Sequence, residues 1–138
     1  MRYTMNLTYE DFEVLKAQCY GTENYYMYSE ILGNGFHITD GVALFTKKFN
    51  AFWLLDMLYS YLPQIRKTGD NFFVVTVTVK NTGTFEVIRE VYNEETGESE
   101  NKTVCKQSRF YTDLPKTPKG KTYKFYFIDN VLLLTSEY

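Results

Sequence analysis

Near residue 68 the spacing of the apolar side chains changes period. Before it, Ala51, Leu54, Leu55, Leu58, Leu62 and Ile65 step by 3, 1, 3, 4 and 3, which is one continuous face of a helix. After it comes "NFFVVTVTVK", a run whose β-branched content suits a pleated, half-buried surface. Helices first and strands afterwards is the block order of an α+β domain, with helices gathered on one face of an antiparallel sheet. The expectation is a single domain over 1–138, mainly helical in 1–68 and mainly β in 69–138. At 138 residues the chain has the ordinary size of one domain and is long enough to bury a core without disulfide or metal staples.

Local signals refine this. Thr8 with Asp11 three residues on is a weak capping box for a first helix, whose inner stripe is Phe12, Leu15 and Cys19 and whose stop is Gly21. "ILGNGF" is turn chemistry around Gly33 and Gly35. Thr39 or Asp40 caps a second helix. Whether 42–49 continues into the main helix or breaks at Asn50 stays open. Pro63 disfavours helical geometry at Leu62, so the main helix is expected to end there.

Strands follow at 71–80 and 85–92, then an acidic hairpin tip "NEETGESEN" with Gly97 at positive φ, then a strand through Cys105. A loop leads into a final pair of strands about Asp129-Asn130. Short connections between successive strands suggest a meander of about four to five strands.

Composition bounds the function. Thirteen Tyr, 11 Phe and one Trp make 18% of the chain, which suits either a thin core or a recognition surface. The formal net charge of −2 gives no general attraction to nucleic acid or anionic membrane. No apolar run approaches the roughly 18 residues of a membrane span. "MRYTMNLTYEDF" lacks the basic and apolar regions of a signal peptide, so a cytoplasmic location is expected. Cys19 and Cys105 are in no metal spacing and read as reduced thiols; one histidine excludes a Cys₂His₂ zinc site. No metal and no cofactor are called for.

Candidate chemistry is sparse. Any His-based scheme must pass through His37, in "GFHITDG", and neither cysteine sits in a nucleophile motif. "GNG" at 33–35 lacks the third glycine and preceding strand of a dinucleotide fingerprint. Lys116, Lys119, Lys121 and Lys124 beside Tyr123, Phe125 and Tyr126 offer a single-strand nucleic-acid reading. The nearby glutamates and the edge-protecting use of lysine weigh against it.

The densest cluster is "GTENYY", "TDGV" and "AFWLLDMLYSY". Asp56 lies among large apolar residues and needs a partner if buried. The expectation is that Asp56 stitches the helix to "GTENYY". The alternative is a pocket between helix and sheet lined by Tyr25, Tyr26, His37, Trp53 and Asp56, with Glu23 and Asp40 beside it.

These motifs and the terminal "NVLLLTSEY" resemble, in this order and with similar gaps, a family of small uncharacterised domains of bacterial, plasmid and phage genomes. The resemblance covers both ends and the helical third, and residues 84–122 match poorly. It implies a cytosolic protein in a mobile-element setting, and implies no catalysis. The matching positions are Gly21, Thr22, Glu23, Tyr25, Tyr26, Thr39, Asp40, Gly41, Trp53, Leu54, Leu55 and Asp56.

The leading functional expectation is a non-enzymatic interaction protein with a protein partner, an accessory factor of a phage or mobile element that inhibits a host defence component. Tyrosine contributes much contact area for little entropy loss. The acidic hairpin, through Glu94, Glu95 and Glu98, is a second candidate surface, for a basic partner. The alternatives are a small-ligand domain or enzyme using the pocket above, and single-strand nucleic-acid binding. A homo-oligomer through an edge strand such as 71–80 also stays open.

Overall fold

The computed structural model describes residues 6–21, 24–28 and 35–138. Three helices, α1 (Tyr9–Gln18), α2 (Asp40–Lys48) and α3 (Phe52–Lys67), pack against a seven-stranded sheet. The strands are β1 (Tyr25–Tyr28), β2 (Phe36–Thr39), β3 (Phe72–Val79), β4 (Gly83–Asn93), β5 (Glu98–Phe110), β6 (Tyr123–Ile128) and β7 (Val131–Leu134). Their spatial order is β1-β2-β7-β6-β3-β4-β5. The α+β class holds. The sheet is larger than expected and mixed, because β2 pairs parallel with β7 while its other neighbours pair antiparallel.

The expected meander survives as β3–β4–β5, but β6 returns to β3 rather than following β5. Thus 72–79 is a central strand with both edges taken, and it cannot serve as the oligomer edge. Strands β1 and β2 escaped notice because each is only four residues long, too short for its alternation to rise above turn signals.

Local chemistry sets most boundaries as the sequence suggests. The Asp11 carboxylate accepts from the Thr8 amide at 2.8 Å, opening α1. Thr39 caps α2, its Oγ1 accepting from the Val42 amide at 3.3 Å. The break before α3 falls at Asn50, with φ of 51°. Asp129 and Asn130, at φ 47° and 67°, form the twisted two-residue turn that joins β6 to β7.

The expected end of α3 at Leu62 is wrong: the helix runs on to Lys67 with Pro63 inside it. A proline within a helix costs about 3 kcal/mol. Burying Leu62 and Ile65 returns roughly 1.5–3 kcal/mol each. The Arg66 guanidinium then ties the last turn to the Gly35 and Asn130 oxygens at 3.0 and 3.1 Å. Pro63 itself is exposed, so its ring displaces nothing in the core.

The core lies between the helices and one face of the sheet. Phe73, Val75, Val77 and Val79 alternate inward from β3, and Phe12, Phe45, Tyr123 and Phe125 form an aromatic centre with rings 4.9–6.0 Å apart. Tyr123 reaches the Pro115 carbonyl at 2.7 Å, and Tyr9 the Thr122 carbonyl at 2.9 Å. Burial pushes both phenols well above their ordinary range, so they stay protonated donors. Much of the aromatic content is therefore structural.

Candidate functional site

The C-terminal residues fold back onto the start of α2. After β7 a short 3-10 turn, Thr135–Glu137, swings Glu137 into the interior. Its carboxylate accepts from Thr39 Oγ1 at 2.6 Å, the Gly41 amide at 3.1 Å and the Leu134 amide at 2.9 Å. A buried carboxylate is costly unless hydrogen-bonded, and here three donors meet it at the positive end of a helix. Gly41 leaves room for this carboxylate: a Cβ there would sit 2.5 Å from Glu137 Oε1 and force the side chain to shift. Ser136 Oγ meanwhile donates to the Cys19 carbonyl, fastening the end of α1 to the same point.

The stitch expected of Asp56, between α3 and "GTENYY", is a different one: Glu137 joins the C-terminal turn to the start of α2. Asp56 is exposed on α3 and makes no hydrogen bond or ion pair among the described residues. Residues three and four apart on a helix share a face, but Asp56 sits opposite the buried stripe of Leu54, Leu55 and Leu58.

Around the stitch is an open cleft of about 480 Å³ lined by Gln18, Cys19, Tyr20, Gly21, Asp40, Gly41 and Glu137. Burial first, then the Glu137 and Asp40 carboxylates, raises the Cys19 thiol above its ordinary value. A nucleophilic cysteine needs the opposite shift. Cys105, buried in β5, is pushed up to about 11 by burial. Tyr26 hydrogen-bonds the Asp40 carboxylate, which raises its phenol. Among the described residues no group of three His, Cys, Asp or Glu is placed to hold a metal ion.

Next to this cleft, β1 forms one edge of the sheet. Tyr25, Tyr26 and Met27 are 56%, 47% and 42% exposed. Tyr28 alone turns inward, its ring 5.2 Å from Phe36 and 6.4 Å from Tyr59.

The remaining sequence candidates do not converge. His37 is half-buried in β2, paired with Met27 and Val131. Trp53 packs on Phe110 at the far edge, with rings 5.1 Å apart. Tyr25, His37, Trp53 and Asp56 thus line no common pocket, and the helix–sheet interface between them is filled by the core. Glu23 lies outside the described residues. Glu94, Glu95 and Glu98 are exposed at the β4–β5 tip, with the Gly97 amide bonded to the Asn93 carbonyl at 2.8 Å. Of the basic–aromatic segment, Tyr123 and Phe125 are core residues and are not free to stack on bases.

Sequence reasoning missed Glu137 and Ser136, and did not link Cys19 to the site. "TSEY" held the only signal, and a carboxylate in a terminal segment reads as solvated until its partners are seen.

The fold and this site define a small α+β domain with a one-sided sheet, braced at one end by a buried carboxylate. The chain belongs to DUF6876, a family of unknown function, whose model matches residues 13–138. No curated protein and no solved structure matches the chain. No helix among the described residues is long and apolar enough to cross a membrane.

Proposed function

We propose that the protein is a non-enzymatic interaction protein whose contact surface is centred on β1. One observation carries this reading: three consecutive large side chains, Tyr25, Tyr26 and Met27, stand exposed on an uncharged edge strand. The neighbouring signature residues, Thr39, Gly41 and Glu137, support a structural role, since they hold the start of α2 in place. The tyrosines hold nothing comparable in the core, and exposed tyrosine is what interfaces favour.

The narrower reading is an accessory factor of a phage or mobile element that inhibits a host defence component, and it turns on who the partner is. Tagged protein should retain one stoichiometric partner from nuclease-treated host lysate, and a folded Tyr25→Ala/Met27→Ala variant should lose it. Retention by that variant but not by Glu94→Lys/Glu95→Lys/Glu98→Lys would move the surface to the acidic hairpin. A small-ligand reading is favoured by the 480 Å³ cleft at Cys19, Asp40 and Glu137. A copurifying small molecule seen by native mass spectrometry, with no protein retained, would support it instead.

A further inference from the structure

We infer that the face of the sheet turned away from the helices is self-complementary and joins two copies of this chain, about a twofold axis running along β3. This goes beyond the β1 surface and uses other residues. Phe73, Val75 and Val77 point to the helices, so Phe72, Val74, Thr76 and Thr78 point the other way. The strand register sets their neighbours in rows across this second face. Lys124, Thr76 and Glu86 make one row, with Lys106 next to Glu86 on β5. Tyr126, Val74 and Ile88 make the next row. Phe72 follows, exposed, with the exposed Tyr138 ring 5.9 Å from it and 5.3 Å from Tyr126. Aromatic side chains standing in solvent beside aliphatic ones are what the centre of an interface buries.

The charges say what lies opposite. Lys124 is one strand to one side of β3 and Glu86 one strand to the other. Among the described residues neither is in an ion pair: the Lys124 ammonium lies 5.8 Å over the Tyr126 ring, and Glu86 accepts from Thr103 Oγ1. A half-turn about an axis along β3 exchanges the two sides. Lys124 of each copy then meets Glu86 of the other, and the pair forms twice. The same half-turn sets Val74 on Val74 and Tyr126 on Ile88, as an isologous interface requires. Lys106, two strands out, falls over the uncharged β7. An axis along β4 would instead set Glu86 on Glu86, and an axis crossing the strands at this row would set each charge on its like. The charge pattern therefore selects one arrangement. Two sheets so packed lie about 10 Å apart with strands within about 30° of each other, which leaves room for the Tyr138 rings between them. Five strands about 4.8 Å apart, by seven residues of about 3.4 Å, give a footprint roughly 24 Å on a side before side-chain relief is added. That is the scale of a standard interface, roughly 800 Å² per partner.

The test is sedimentation velocity on the full chain, over a hundredfold range of concentration up to about 0.2 mM. Wild type should reach twice the chain mass. Lys124→Glu and Glu86→Lys should each weaken the dimer about tenfold or more, because each apposes like charges twice. Mixing the two single variants should restore a dimer containing one of each, in which both pairs are attractive again. The double variant, with both charges exchanged, should dimerise like wild type. Val74→Glu, which sets two carboxylates together on the axis, should be a folded monomer. Wild type that stays monomeric up to 0.2 mM or so overturns the proposal. So does a dimer that both single charge reversals or Val74→Glu leave intact, which would lie on another face. Folded single variants that stay monomeric when mixed, or a folded double variant that stays monomeric, overturn it as well.

Discussion

The two edges of the sheet make an instructive pair. β5 is 13 residues long, carries Glu98, Glu100, Lys102, Lys106 and Arg109, and shifts register twice against β4. At one shift Arg109 adopts φ of 62°, and Phe110 then lies over Gly83, where a Cβ would meet its ring at 2.5 Å. Each feature obstructs further strand pairing, and together they make β5 a terminus of the sheet. β1 is four residues long and has no such feature, and Glu137 braces not β1 itself but the end of β2 and the start of α2 beside it. An unprotected edge suits a contact surface, and a protected one suits solvent.

The largest expected effect falls at the β1 end. Glu137→Ala leaves Thr39 Oγ1 and two amides without their acceptor, and should cost about 3–4 kcal/mol in denaturant unfolding. A cost below 1 kcal/mol would mean that this carboxylate does not brace the structure beside β1.

The two thiols sharpen the comparison from the chemical side. Thiolate is the reactive form, so a raised pKa lowers its fraction at any pH below it. Cys105 in β5 rises from 9.0 to about 11, which leaves about a hundredfold less thiolate at pH 8 than an ordinary thiol. Native alkylation followed by mass spectrometry should show Cys105 labelled far more slowly than the half-buried Cys19. Equal rates would mean that β5 opens readily and is the looser edge.

A smaller loss is expected from Phe110→Ala, about 1–2 kcal/mol, because the half-buried ring covers Gly83 and Trp53. No loss would show that β5 owes its termination to charge alone. Smallest of all is Asp56→Ala, expected within 0.5 kcal/mol or so of wild type in the same measurement, since the carboxylate is exposed. A loss above 1 kcal/mol would restore Asp56 as a structural residue.

Much of the fold was legible because its signals are local. The caps at Thr8 and Thr39, the Gly97 tip and the Asp129-Asn130 turn each depend on a few adjacent residues, whereas the break at Asn50 stayed open until the structure placed it. Pro63 misled because tertiary burial on either side of it outweighs a local preference. The site was less legible. Tyr25, Tyr26 and Asp40 stood out as a cluster and do lie together, whereas Trp53 and Asp56, near them in pattern, are carried elsewhere by the course of α3.

The sequence by itself determined which of the longer segments coil and which extend, since hydrophobic periodicity and capping act within about ten residues. It also determined the one-sided sheet, through the alternation in β3. Only the tertiary structure decided that β2 lies parallel to β7, that β3 is central, and that Glu137 finds Thr39 98 residues away. Such a contact leaves no periodic trace: a buried carboxylate and a solvated one are the same letter, told apart only by the donors that the fold brings to it.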